Sequence, residues 1–140
     1  MSGPRGLADL AGAWTLARRI RDARAGAVLR LSGTARFEPA GAAALEYSEN
    51  GVLTLPDGQR LAAERRHRWL DVPGGAEVLF ADGRPFHALR WAPVAAAQHP
   101  CGEDRYQVRY DFRRWPVWWA IWRVTGPGKD YLSVSRYRRA

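Results

Sequence analysis

Apolar and polar residues alternate along most of the chain, and this alternation predicts β-strands. Residues 27–37 place Ala, Leu, Gly and Phe on one face and Val, Arg, Ser and Thr on the other. Residues 105–113 alternate Tyr, Val and Phe with Arg, Gln and Asp in the same way. A period of two residues indicates a strand with one buried face. Residues 13–20 follow the same period, although their Ala, Leu and Arg content also allows a helix.

Turn signals divide the remaining sequence into short segments. Asn50-Gly51 is the strongest hairpin signal, and we expect it to join residues 44–49 to 52–55. Asp57-Gly58, Pro73-Gly74-Gly75 and Asp82-Gly83 mark further turns. The Ala-rich stretches at 40–44 and 94–98 are expected to be loops or brief helical turns. Turns at steady intervals without a long helix predict one all-β domain over residues 1–140, a single antiparallel up-and-down β-barrel of about 8–10 strands.

Length and composition restrict the class of protein. A chain of 140 residues that is 46% hydrophobic can bury a proper core. The single cysteine, Cys101, allows no disulfide within the chain and suits a reducing compartment. The first residues contain no apolar leader, and no apolar run approaches the ~20 residues of a membrane span. We therefore expect a cytoplasmic protein with no membrane span.

The net charge of +8 raises the question of a nucleic-acid partner. The 21 arginines are scattered along the whole chain beside one lysine, and they form no long basic block. Their abundance, together with that of Ala, Gly and Pro, also resembles the effect of GC-rich coding. From the sequence we therefore do not expect nucleic acid as a partner.

Two features near the ends of the chain resemble the signature of the calycins, the class of lipocalins and fatty-acid-binding proteins. Gly12-Ala13-Trp14 stands on the first strand, and Arg136 stands on the last. The resemblance implies that Trp14 closes one end of the barrel while the guanidinium of Arg136 stacks on the indole.

Longer segments carry a second resemblance, which spans nearly the whole chain. "LAGAWTLARRI", "DGRPFH" (82–87), "HPCGEDRY" (99–106) and "GPGKDY" (126–131) resemble an uncharacterised bacterial and fungal family of calycin-like domains of unknown function. This resemblance implies the barrel, and it implies no activity and no catalytic residue.

Reactive side chains concentrate around residues 99–106. His99 and Cys101 fall on one face of an extended segment, where they could act as base and thiolate or as two metal ligands. There is no second cysteine to complete a zinc site, so we expect no metal. Asp104 could instead make turn hydrogen bonds, with Cys101 packed as a small apolar side chain. If His87 faces the interior, it could pair with His99 or Asp104 as an acid/base group, or it could be a structural histidine.

The interior of a barrel with these strands predicts a ligand-binding cup. The first hypothesis is a small-molecule binding protein without a cofactor, whose ligand is apolar or amphipathic and can be anionic. The alternatives are an enzyme that uses His87 or His99 with Asp104, and a protein- or nucleic-acid-interaction module with a filled barrel and a basic outer face. The oligomeric state stays open. The expected ligand-binding residues are His67, Trp69, His87, His99, Cys101, Tyr106, Tyr110 and Arg123.

The segment at 126–131 contains the only lysine and could be mistaken for a phosphate-binding loop. A Walker A loop needs Gly-x-x-x-x-Gly-Lys-Ser/Thr before a helix, and here a strand follows. We expect Gly126-Pro127-Gly128 to form a turn that Lys129 and Asp130 hold in place.

Overall fold

The computed structural model describes residues 3–140, which form one 3₁₀ turn followed by ten antiparallel strands. The 3₁₀ turn is Leu7–Leu10. The strands are β1 (Gly12–Asp22), β2 (Ala27–Pro39), β3 (Ala44–Thr54), β4 (Arg60–Val72), β5 (Gly75–Phe80), β6 (Pro85–Arg90), β7 (Val94–Cys101), β8 (Asp104–Asp111), β9 (Trp118–Gly126) and β10 (Lys129–Arg139).

The ten strands form one sheet that curls into a nearly closed barrel. The order is β6-β5-β4-β3-β2-β1-β10-β9-β8-β7, so the first strand pairs with the last and the two sheet edges are β6 and β7. These edges face each other across a narrow seam, where the rings of Phe86 and His99 have centroids 5.5 Å apart. The prediction of an all-β, antiparallel up-and-down barrel is confirmed.

An up-and-down strand order places successive turns at opposite ends of the barrel. We call upper the end that carries the β1–β2, β3–β4, β5–β6, β7–β8 and β9–β10 turns, and lower the end that carries the 3₁₀ turn. The segments 82–87, 99–106 and 126–131 are therefore brought together at the upper end. Sequence segments that lie far apart in the chain share one rim because each includes or adjoins an upper turn.

Aromatic side chains pack the lower end, and Trp14 lies at the centre of them. The Trp14 ring packs against Trp115 and Trp118, and its indole nitrogen donates to the carbonyl of Leu10 at 2.9 Å. The guanidinium of Arg139 lies 3.9 Å from the Trp14 ring centroid. It also donates to the carbonyls of residues 11 and 9, at 2.7 and 2.6 Å, so it ties the 3₁₀ turn to the last strand.

The arginine that covers Trp14 is therefore Arg139, and the expectation of Arg136 was wrong. In the β1–β10 register Arg139 lies opposite Trp14, whereas Arg136 lies opposite Ala17. Side chains alternate between the two faces of a strand, and β10 buries Ser135 and Tyr137. Arg136 accordingly projects to the exterior.

Local turn and helix signals were overruled at three places. Asn50-Gly51 does not form a hairpin, because β3 continues through it to Thr54. Gly51 pairs with Gly33 of β2, and a Cβ on Gly33 would overlap the Asn50 carbonyl oxygen. The two glycines thus allow a close approach of two backbones, and the register between β2 and β3 is uninterrupted there. Residues 13–20 are strand and not helix, and the Ala-rich residues 94–98 belong to β7.

Candidate functional site

A buried ion pair lies inside the barrel, at mid-height. Both terminal nitrogens of Arg18 on β1 donate to the two carboxylate oxygens of Glu49 on β3, at 2.9 and 2.6 Å. The Arg18 Nε donates to the hydroxyl of Ser135 at 2.6 Å. Tyr47 donates its hydroxyl proton to Glu49, and its oxygen lies 2.8 Å from that of Tyr137. The pair is therefore satisfied on several sides, as a buried charge requires.

The electrostatics of this pair favour its ionised form. Burial alone would lower the pKa of Arg18, but the hydrogen bonds and charge of Glu49 outweigh it and raise that pKa. Burial alone would raise the pKa of Glu49, yet the Arg18 guanidinium holds it below its usual value. The pKa of Tyr47 is raised well above its usual value, chiefly by burial. Arg18 thus has its charge neutralised internally and offers no free cation to a ligand.

Two neutral histidines line the same cavity as this network. The Nε2 atom of His87 lies 2.8 Å from the hydroxyl of Tyr110, and burial, with the charges of His67 and His99, lowers the pKa of His87 to about 3. Burial and the nearby Arg65 also lower the pKa of His67. The Nδ1 atom of His67 lies 3.2 Å from the carbonyl of Leu79. Because a carbonyl only accepts, this nitrogen carries the proton, and Nε2 of His67 is left as an acceptor.

The polar side chains surround a small central cavity of about 20 Å³. A cavity of roughly 10–15 Å³ holds one water molecule. The central cavity therefore has room for little more than one water, and side chains fill the rest of the interior. Three buried side-chain nitrogens among residues 3–140 have no hydrogen-bond partner, and all three belong to residues that line this cavity: Nε2 of His67, Nδ1 of His87 and Nε1 of Trp118. Buried polar atoms are normally paired, so these three nitrogens would be satisfied by a bound molecule that both accepts and donates hydrogen bonds.

Arg65 and Trp122 close the cavity on the upper side. They lie on β4 and β9, strands that are separated by four others in either direction around the barrel, so they reach each other across the interior. The Arg65 guanidinium carbon is 4.6 Å from the Trp122 ring centroid, a cation–π contact. Both residues are only half-buried and both line the cavity.

The structure brings together half of the residues expected to bind a ligand. His67, Trp69, His87 and Tyr110 line the cavity. His99 and Tyr106 lie nearer the upper rim, where both pack against Phe86 with ring centroids 5.5 and 5.4 Å away. Cys101 is half-buried at the end of β7.

Arg123 was wrongly expected inside the barrel. Trp118, Trp122 and Val124 of β9 face the interior, so the intervening Arg123 faces outwards. There it pairs with Asp130 at 2.6 Å and donates to the carbonyl of Tyr131 at 3.1 Å. The arginines that line the interior are Arg18 and Arg65.

The two charged residues that follow the β9–β10 turn, Lys129 and Asp130, both form ion pairs. Lys129 pairs with Asp104 at 2.9 Å and lies 3.4 Å from the Tyr106 hydroxyl, which joins the β9–β10 and β7–β8 turns. The hydrogen bond to Asp104 raises the pKa of Lys129. Asp104 is thereby engaged with a lysine, and no hydrogen bond joins it to His87 or His99 within residues 3–140.

Sequence reasoning missed the Arg18 network, although a signal for it was present. Arg18 shares a strand face with Trp14, Leu16 and Ile20, and a charged side chain on an otherwise apolar face needs a buried partner. Glu49 is likewise a charged residue on the buried face of its strand, β3, two residues from Tyr47. What the sequence could not supply was the register that brings the two strands' charges together.

These features define a class: a calycin-like β-barrel whose interior is polar at mid-height and closed by aromatic side chains at the lower end. The chain belongs to the family of unknown function DUF6314, whose family profile matches residues 10–139. A comparison with functionally curated proteins gave no match.

Comparison with solved structures supports the fold. The S-type phycobiliprotein lyase CPES from Guillardia theta is similar over 93% of this chain and 88% of its own, with a TM-score of 0.67 and 10% identity. A structure described as EF1p2_mFAP2b bound to DFHBI covers 94% of both chains at 13% identity, with a TM-score of only 0.44. At such identities the first likeness shows the barrel alone, and the second is too distant to support an argument.

No helix among residues 3–140 is long and apolar enough to cross a membrane. The same part of the chain holds no cluster of three or more His, Cys, Asp or Glu side chains placed to bind a metal ion.

Proposed function

We propose that this protein binds a small, flat, amphipathic molecule in the central cavity of the barrel. The observation that carries the proposal is the set of three unpaired nitrogens, on His67, His87 and Trp118, around one central cavity. A barrel selected only for packing would fill these positions with apolar side chains, because an unpaired buried polar group costs free energy.

The charges around the cavity restrict the ligand. Arg18 is neutralised by Glu49, and the lowered pKa values keep His67 and His87 neutral near pH 7. Arg65 has no carboxylate within ion-pair distance among residues 3–140 and stands at the entrance. The ligand therefore places a neutral group that donates and accepts hydrogen bonds beside His67, His87 and Trp118. If the ligand is anionic, its negative charge lies beside Arg65.

The small size of the cavity means that binding is coupled to opening. Pockets for drug-sized ligands measure about 300–1,000 Å³, whereas this cavity measures about 20 Å³. Trp122 is the side chain that must leave, because its ring lies under the Arg65 guanidinium, where a flat ligand would sit. The closed arrangement then competes with the ligand, and its stability lowers the apparent affinity.

Native mass spectrometry of the purified protein, followed by titration with 8-anilinonaphthalene-1-sulfonate, tests this proposal. The dye is flat, aromatic and singly anionic. We expect one bound dye per chain, tighter binding by Trp122→Ala, which removes the competing ring, and weaker binding by Arg65→Gln. Arg66→Gln is the matched control, because Arg66 is the next residue on β4 and is exposed on the outer face.

The dye also binds partly unfolded proteins, so each variant is checked for a cooperative thermal transition and near-ultraviolet circular dichroism. Equal dye affinity in the Arg65 and Arg66 variants, or unchanged affinity in Trp122→Ala, would contradict the proposed site. A protein that carries no co-purified molecule and binds no dye would contradict the proposed function itself.

A further inference from the structure

The outer face of the barrel gathers arginines that are far apart in the sequence. Arg19 of β1 lies directly opposite Arg30 of β2, and both are exposed. Arg136 of β10 lies opposite Ala17, two residues from Arg19 along β1, and opposite Trp119 of β9. These three arginines and Trp119 line one open depression of about 400 Å³, which we call the basic groove. Residues from the two ends of the chain meet here because β1 pairs with β2 and with β10.

The basic groove continues past Trp119. That residue also lines a neighbouring open depression of about 630 Å³, together with Arg113 and Arg114. Asp111 contributes to the second depression, but it is engaged by Arg113 at 2.8 Å. Trp119 thus stands between two groups of arginines on the same outer face and is half-exposed.

The positive charges of the basic groove are not neutralised by carboxylates of the described residues. Arg19, Arg30 and Arg136 make no ion pair with any carboxylate in residues 3–140. Like charges directly opposite each other on neighbouring strands destabilise a sheet. A coding preference accounts for many arginines, but it does not account for two of them placed face to face. An external anion would neutralise them.

From this arrangement we propose that the basic groove binds single-stranded nucleic acid. Guanidinium groups of Arg19, Arg30 and Arg136 contact phosphates, and Trp119 stacks on a base. A single strand fits better than a duplex, because only unpaired bases offer their flat faces to an indole. A lipid membrane is a less suitable partner for the groove. An indole that inserts into a membrane would project from the surface of the barrel, whereas Trp119 lies in a depression between arginines.

Fluorescence anisotropy with a labelled oligothymidylate of about 20 nucleotides tests the proposal, since such a strand exceeds the usual site size of one small barrel. The key variant is R19Q/R30Q, and the matched control is R66Q/R90Q. The control removes the same charge from exposed positions on β4 and β6, outside the groove. R19Q/R30Q should fold at least as well as the parent, because it removes a like-charge pair.

Affinity is measured across a series of salt concentrations. Each lost phosphate contact reduces the slope of log K against log salt by about 0.7 for single strands, so R19Q/R30Q should reduce it by about 1.4 and R66Q/R90Q should leave it unchanged. Trp119→Ala should weaken binding by about tenfold or more, and Trp119→Phe should retain most of it.

Equal weakening by the two double variants would overturn the proposal, because affinity would then follow net charge alone. Binding to phosphatidylserine vesicles but not to the oligonucleotide would also overturn it and would assign the groove to anionic lipid. Failure to bind either probe would show that the groove has no polyanion partner. None of these outcomes bears on the dye titration of the interior.

Discussion

Replacement of His87 by glutamine should remove a large part of the protein's sensitivity to mild acid. His87 is buried and its pKa falls from 6.5 to about 3, chiefly because burial penalises the charged imidazolium. A group with a lowered pKa in the folded state binds fewer protons there than in the unfolded chain. Stability therefore rises with pH between about 3 and 6.5, and it is lost as the pH falls through this window.

The size of the effect follows from these two values. Near pH 7 both states carry a mostly neutral imidazole, whereas near pH 5 the unfolded chain is protonated and folded His87 is not. The parent should lose about 2 kcal/mol of unfolding free energy between these pH values through His87 alone. The full shift corresponds to about 5 kcal/mol at lower pH.

Urea unfolding of parent and His87→Gln at a series of pH values measures this contribution. Glutamine places its amide where Nε2 lies, so the hydrogen bond to Tyr110 can persist while the titration disappears. The difference in unfolding free energy between parent and variant should change by about 2 kcal/mol from about pH 7 to about pH 5. Tyr110→Phe is the control: it removes the hydrogen bond but leaves His87 buried, so its pH dependence should match the parent's. A parent-minus-variant difference that does not change with pH would refute the reasoning.

Two further substitutions probe the interior and the lower end. Glu49→Ala should cost about 3–5 kcal/mol of unfolding free energy, because it leaves the buried Arg18 without its partner, and the double change with Arg18→Met should recover part of this in the same urea assay. Arg139→Ala should cost about 1–2 kcal/mol, through the lost contact over Trp14 and two carbonyl hydrogen bonds. Arg136→Ala, on the exterior, should change thermal stability little. A larger loss of stability in Arg136→Ala than in Arg139→Ala would contradict the observed packing.

Apolar–polar alternation predicted strands correctly where one face of the strand packs against the core. The prediction failed for a dipeptide that is common both in hairpin turns and within strands. The alternation in residues 27–37 and 105–113 predicted β2 and β8, because burial of one face enforces a two-residue period. Asn50-Gly51 has the composition of a hairpin turn, but Gly51 is needed as a flat position opposite Gly33. Glycine serves both purposes, and only the neighbouring strand distinguishes them.

The sequence by itself determined the class of fold, the closure of the lower end by a tryptophan and an arginine of the last strand, and several of the polar residues that line the interior. Which arginine covers Trp14 and which arginines enter the barrel depended on register, and a shift of one residue moves a side chain to the opposite face. The pairing of Arg18 with Glu49 and the contact of Arg65 with Trp122 join strands that are distant in the chain.

The same reason explains the outer face. Arginines that look scattered in the sequence lie side by side once β1 pairs with both β2 and β10. Alternation within a strand is a local property that a sequence displays, whereas proximity between strands is set by the closed sheet, and the chemistry of both candidate sites depends on that proximity.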